Sequence, residues 1–363
     1  MRSMETGSSK PFRGTGWLSV ALLAAGAAAL VVLLRRVGAE PVLRSIERVG
    51  PNFVLVLVAP VVGMVLHCCG WLVLLPKSLR PRPAIAVATY VASQAANELG
   101  AGVAGEPLKA LVFHPNVRSR AIVPLALDNG TFIASTALCL VGAAFLPWAA
   151  KSPMGAHTCA WAGATSLAAV LGVALLILVA PLRRWSARSG RLARFARILE
   201  AARTALLAQP RLVLGSVLLH LTGRLWIVAE MALLLALLGV SPMLAPWLGA
   251  ASLVASVLGT AIPGQMGVVE ATVFAACVAL GVDAPTAMAL VLLRRLRSGA
   301  WIAFGLILAR MVLGHGKSCP DFASRPVRER ATSDSRSASL AGLPARSATS
   351  TLRIRPVLNT PWA

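Results

Sequence analysis

The sequence predicts an all-α polytopic membrane protein of about six transmembrane helices and two re-entrant helical hairpins arranged as an inverted repeat. Three observations carry that expectation. Mean hydropathy is +0.75, with 57% of residues hydrophobic and only 13% charged. A soluble domain has no use for several apolar runs of about 20 residues, the length that spans a bilayer. Two of the runs are broken by glycines, at Asn97-Glu-Leu-Gly-Ala-Gly-Val-Ala-Gly-Glu-Pro-Leu-Lys109 and at Ile262-Pro-Gly-Gln-Met-Gly-Val-Val-Glu270. The breaks also read as copies: Val91-Ala-Ser93 precedes one, Val254-Ala-Ser256 the other, and each then runs through glycines to a glutamate, Glu106 or Glu270. Short apolar segments interrupted at matching places in two halves mark the midplane site of a transporter.

Residues 1–16 form a polar, basic N-terminal segment, and Trp17–Leu34 is the first apolar run. Phe53–Leu75 is the second, closed by Pro76, Lys77, Arg80 and Arg82. Pro83–Phe113 contains the first break; two full crossings need about 40 residues, so this shorter stretch fits a re-entrant hairpin. Ala121–Pro147 and Cys159–Leu182 are further spans, followed by a basic loop over 183–211. Within that loop Leu192, Phe195, Leu199, Ala202 and Leu206 recur at i, i+3, i+7, i+10 and i+14. That spacing describes an amphipathic helix, lying on anionic headgroups or serving as a solvated linker. Leu212–Leu238 spans again, Trp247–Val282 holds the second break, and Ala284–Leu313 is the last span. The expected transmembrane domain is therefore 17–313, with repeats at 53–147 and 212–313. Residues 314–363 read as a disordered basic tail.

The net charge of +22 would suggest nucleic acid in a soluble protein. Here the basic residues sit between apolar runs and in the tail, which fits membrane topology and anionic lipid; no aromatic-basic RNA module is present. Loops 76–83, 114–120 and 183–211 are basic, whereas 148–158 and 239–246 carry only Lys151. The positive-inside rule then puts both termini in the cytoplasm. Loop 35–52, with Arg35, Arg36, Arg44 and Arg48, runs against this count. The same topology orients 53–75 and 212–238 in opposite directions, so the two hairpins enter from opposite sides. Five of the six cysteines lie in or beside apolar runs, without CxxC or Cys/His ligand spacing. Neither disulfides, a metal nor another cofactor is expected.

A charged side chain at the bilayer centre costs roughly 2.5–3.5 kcal/mol, so it faces a partner or water. The acids at that depth are Glu98, Glu106, Asp128, Glu230 and Glu270; the bases are Lys109, Arg224, Arg294, Arg295 and Arg297. For any one of them, internal pairing is the alternative to a binding role. Tyr90, Ser93 and Asn97 form a polar stripe at i, i+3 and i+7, and Gly100, Gly102 and Gly105 let the chain reverse. Glu106 and Pro107 suit a first helical turn, where free N–H groups and Lys109 could hold an anionic headgroup, or Glu106 could simply cap the helix. Asp128, Thr131 and Ser135 make a second stripe, whose counterpart in the other repeat carries Arg294 and Arg297. His220 and Arg224 share a helical face that Glu230 does not. The candidate substrate-binding set is Asn97, Gly102, Gly105, Glu106, Lys109, Asp128, Pro263, Gly264, Gly267, Glu270 and Arg294. No residue is assigned a catalytic role.

The Asn97…Gly105-Glu-Pro-Leu-Lys109 stretch, and Ile262-Pro-Gly264…Gly267-Val-Val-Glu270 followed by Arg294-Arg295, resemble the flippase-like integral membrane family called the lysylphosphatidylglycerol synthase transmembrane region. The resemblance covers about residues 17–313. It implies a polytopic bacterial inner-membrane protein that moves or handles lipids, aminoacylated phosphatidylglycerol among them. Stand-alone relatives are associated with hopanoid or polyisoprenoid lipids. Gly100 stands where the family often has proline, and no aminoacyltransferase domain follows, so lysyl transfer is not expected. The leading expectation is a lipid translocase whose partners are anionic headgroups and lipid-biosynthesis enzymes. The alternatives are an intramembrane lipid-modifying enzyme with a carboxylate base, or a scaffold acting through the basic loop and tail.

Overall fold

A computed structural model describes residues 16–100, 105–144, 191–259 and 262–315, and all regular structure among them is helical. The first run becomes α1 (Gly16–Val37), ended by Gly38 at φ +93°. The stretch read as loop 35–52 is mostly a helix, α2 (Ala39–Val49). Val42, Ser45 and Val49, at i, i+3 and i+7, are its buried face, and Glu40 pairs with Arg44 at 3.0 Å on the outside. A helix this short is marginal alone and is held by tertiary contact. Here that contact is with the last helix, α12. Charge counting cannot register such packing.

α3 (Phe53–Val58) and α4 (Pro60–Leu74) follow, then α5 (Pro83–Leu99), α6 (Glu106–Leu111) and α7 (Pro115–Ala144). After the undescribed stretch come α8 (Arg191–Ala208), α9 (Pro210–Leu237), α10 (Ala245–Leu258), α11 (Val268–Ala279) and α12 (Ala284–His315). Proline opens α5, α6, α9 and α10, where its missing N–H leaves no bond unmade. Among the described residues, Ala39–Leu74, Asn116–Gly142 and Pro210–Leu237 are long and apolar enough to cross a membrane. The expected span at 159–182, the N-terminal segment to residue 15 and the tail from 316 lie outside the described residues.

Each broken run is a pair of short helices. At 1.5 Å per residue, α5 and α6 are about 25 and 9 Å long, and α10 and α11 about 21 and 18 Å. All four fall short of the roughly 30 Å hydrocarbon core. The glycine breaks therefore divide these segments as the sequence pattern predicts. The amphipathic pattern in the basic loop is also a helix, α8, whose Ala196 and Ala202 are buried where it meets α7 and α9.

α4 lies along α9, α5 lies along α12, and α10 touches α7. Val54, Leu55 and Val58 of α3, with Leu214, Leu218 and Leu225 of α9, form an exposed apolar exterior, suited to lipid. At the α4–α9 crossing the contact is reciprocal. His67 packs on Gly223 and His220 on Gly70, with ring centroids 5.2 Å apart. The motifs are the same, His67-Cys-Cys-Gly70 and His220-Leu-Thr-Gly223. A Cβ at Gly223 would stand 2.7 Å from the His67 ring, and one at Gly70 would stand 2.9 Å from the His220 ring. Small residues are what let membrane helices approach this closely. Gly223→Ala is expected to destabilise by roughly 1–3 kcal/mol through overpacking. It would lower the thermal midpoint in detergent with helix content unchanged; a wild-type midpoint would refute the close contact.

Candidate functional site

The first break is tied by side chains of the polar stripe. Ser93 Oγ donates to the Gly105 carbonyl at 2.8 Å. The Gly105 N–H donates to Asn97 Oδ1 at 2.7 Å, and Asn97 Nδ2 donates to Glu106 Oε1 at 3.3 Å. Gly105 must lack a side chain, because a Cβ would collide with the Ser93 carbonyl. Lys109, one turn along, is 3% exposed. Its Nζ lies 3.1 Å from Glu106 Oε2, 2.9 Å from Asp128 Oδ2 and 5.1 Å from the Tyr90 ring centre. Asp128 also contacts His220 Nε2 at 2.9 Å, and Thr131 hydrogen-bonds Ser216 at 2.9 Å. The Asp128 stripe thus faces inward and anchors α6 and α9 to α7.

The second break is a 3₁₀ turn over Pro263–Gln265, with Gly264 inside it at φ +64° and Gly267, just before α11, at φ +87°. Such angles are open to glycine at little cost. Glu270 Oε2 accepts the Gly267 N–H at 2.7 Å, setting a carboxylate at the positive end of α11. Its other oxygen pairs with Arg295, and Arg295 Nη2 donates to the Gly264 carbonyl at 3.1 Å. The breaks touch: the Gly264 N–H donates to the Gly100 carbonyl at 3.4 Å. From outside the repeats, Gly26 of α1 packs on the Met266–Gly267 backbone.

Two cavities open between the breaks and the α4–α9 crossing, of about 200 and 180 Å³. They share Glu98, Arg224, Ile227, Arg297 and Ser298 in their walls, so they adjoin across these side chains. Arg297 is paired with Glu230, and Arg295 with Glu270. Arg294 Nη2 donates to Ser252 Oγ at 2.7 Å. Arg224 lies 4.0 Å from the Phe132 ring centre, a cation–π contact, and its Nε has no hydrogen-bond partner among the described residues. Two of the four arginines are therefore not matched by a carboxylate among the described residues, with Glu98 the remaining acid on the wall. Such a wall suits an anion that brings its own oxygens. Among the described residues no group of three or more His, Cys, Asp or Glu could hold a metal.

The structure therefore gathers Asn97, Gly105, Glu106, Lys109 and Asp128 at one break, and Pro263, Gly264, Gly267 and Glu270 at the other. Arg294, Gly264 and Glu270 face the cavity, whereas Lys109 lines neither part of it. Gly102 lies outside the described residues. Sequence reasoning left out His67, Arg224, Glu230, Arg295 and Arg297 from the candidate set. The recurring His-x-x-Gly motif would have picked out His67. Nothing local marks Glu230, whose partner is 67 residues away.

Comparisons with curated proteins and with solved structures give no match. A family model does match, over residues 16–306, and its span takes in both breaks, the crossing and every cavity wall just described. The chain belongs to the family described as the lysylphosphatidylglycerol synthase TM region, and is accordingly a multi-pass membrane protein of a lipid-handling family.

Proposed function

We propose that the chain is a carrier that translocates a polar lipid with an anionic headgroup across a bacterial inner membrane, both termini being cytoplasmic. The observation that carries this reading is the cavity between the helix breaks, where neither Arg224 nor Arg294 forms an ion pair with a carboxylate among the described residues. A headgroup phosphate supplies the missing acceptors. Glu98 on the same wall offers a partner to the amine of an aminoacylated headgroup. A hopanoid or polyisoprenoid lipid with a charged head belongs to the same class, delivered by the enzymes that make it.

The inverted repeat is supported by reciprocity of contact. Exchanging repeats turns α5-on-α12 into α10-on-α7 and maps His67-on-Gly223 onto His220-on-Gly70. That is the mark of a two-fold relation, in which i meets j and j meets i. Re-entrant hairpins around such an axis suit alternating access by rocking of one repeat against the other. The sequence has no nucleotide-binding P-loop, so movement is passive or gradient-driven.

The full chain in phosphatidylglycerol-containing vesicles, with fluorescent NBD-phosphatidylglycerol and an outer-leaflet quencher, tests this. Wild type is expected to exchange label between leaflets well above protein-free vesicles. The Glu106→Gln/Glu270→Gln variant, which loosens both breaks, is expected to slow exchange by about tenfold, equivalent to roughly 1.4 kcal/mol in barrier. Equal exchange by wild type and variant would remove the mechanism.

A further inference from the structure

A continuous file of polar groups leads from the cavity to the first break. His67 lines the cavity, and its Nδ1 lies 2.9 Å from His220 Nδ1. His220 Nε2 is 2.9 Å from Asp128 Oδ1, and Asp128 Oδ2 is 2.9 Å from Lys109 Nζ. Lys109 then reaches Glu106, and Glu106 holds Asn97, which receives the Gly105 N–H at the break itself. A structural ion pair needs only Lys109 and Asp128. It does not need two imidazoles meeting nitrogen to nitrogen, an arrangement in which one ring must donate and the other accept. Nor are its charges paired one to one: Asp128 and Glu106 share a single ammonium, and the next cation, Arg224, lies on the Phe132 ring rather than on either carboxylate. A carboxylate that shares its cation with another is a place for a proton, and intramembrane His/Asp/Glu chains are the usual proton carriers.

We propose that Asp128 is a proton-binding site, loaded from the cavity through the His67–His220 pair, and that its occupancy sets the first helix break through Lys109. The inference deepens the translocase reading and rests on it for purpose, the proton being the coupling ion. The step balances in atoms and charge. A hydronium ion in the cavity gives a proton to His67 Nε2 and is left as water, the His67 Nδ1 proton passes to His220 Nδ1, and the His220 Nε2 proton passes to Asp128 Oδ1. Both rings end neutral in the opposite tautomer, and one carboxylate becomes a carboxylic acid. The groups facing the file are Lys109 and Glu106 of α6, Arg224 of α9, Tyr90 of α5 and Cys68 of α4. The facing Nδ1 atoms pass the proton between neutral rings, and the carboxylate is the end of the file that receives it. Once Asp128 is neutral, Lys109 is held by Glu106 alone, and Glu106 is the group that fixes Asn97 and the break. In the second repeat the corresponding helix carries Arg294 and Arg297 instead. One repeat takes the proton and the other faces the anion.

The test is infrared difference spectroscopy of the full chain in phosphatidylglycerol nanodiscs, following the carboxylic C=O stretch during acidification and after a pH jump. Wild type is expected to gain a carboxylic-acid band that Asp128→Asn lacks and Glu106→Gln retains. His67→Gln, which leaves Asp128 in place, is expected to slow the band's appearance after the jump by at least about tenfold, the low side of what a positioned proton donor contributes. No Asp128-dependent band, or one that follows Glu106 instead, overturns the site. An unchanged loading rate in His67→Gln overturns the relay even if Asp128→Asn fails to fold. Leaflet exchange is scored separately with NBD-phosphatidylglycerol. If exchange is absent but the band stands, the carrier reading falls and the proton site survives. If exchange is present but no band appears, the reverse holds.

Discussion

Lys109→Met is expected to destabilise the protein by about 3–5 kcal/mol, the range for removing one partner of a buried ion pair. The substitution strands Asp128, 1% exposed, and strips the cation from Glu106 as well. Lys109→Met/Asp128→Leu should recover much of the loss, because apolar groups of similar volume often replace a buried pair without penalty. The exposed Glu40–Arg44 pair is the internal control. Its side chains are 81% and 66% exposed, and such pairs contribute about 0.3–0.5 kcal/mol. Thermal unfolding of the four variants of the Lys109–Asp128 cycle in one detergent gives the coupling directly. Additive losses would show that the two side chains do not stabilise one another.

The second large effect separates binding from architecture. Arg224→Gln/Arg294→Gln is expected to bring NBD-phosphatidylglycerol exchange down to the protein-free rate. Each lost charged hydrogen bond to phosphate is worth about 1.5–3 kcal/mol, or roughly 10- to 100-fold at tenfold per 1.4 kcal/mol. Melting should change little, since neither arginine has a carboxylate to strand among the described residues. Arg297→Gln is the contrast. It leaves Glu230, whose side chain is 6% exposed, without its cation, so it should lower the melting temperature by itself. If the double variant exchanged lipid at the wild-type rate, phosphate recognition in this cavity would be ruled out.

How much of this was legible in the chain depends on where each signal resides. Breaks, half-helices and the Ser93–Asn97 stripe are local, written in glycines and in i, i+3, i+7 spacing, and each is found where expected. Glu270 at the start of α11 is legible for the same reason. Helix α2 was missed because Val42, Ser45 and Val49 give a short period within a stretch read by its arginines as a loop, and the contact with α12 is what makes it decisive. Glu230 was set aside because it is off the His220–Arg224 face, yet a neighbour on another helix, Arg297, decides its role. His67 escaped because the His-x-x-Gly motifs recur at 153 residues, whereas the breaks recur at 163 to 164. A comparison made at one shift aligns one pair of features and hides the other.

The contact between Gly26 of α1 and the Met266–Gly267 backbone has its own consequence. A Cβ at Gly26 would stand 2.6 Å from the Met266 carbonyl oxygen, so the two chains press together with no cushion of side chains. In the proposed carrier α1 is a bolt across the second break, and opening on that side requires the bolt to travel with the seam or to let it go.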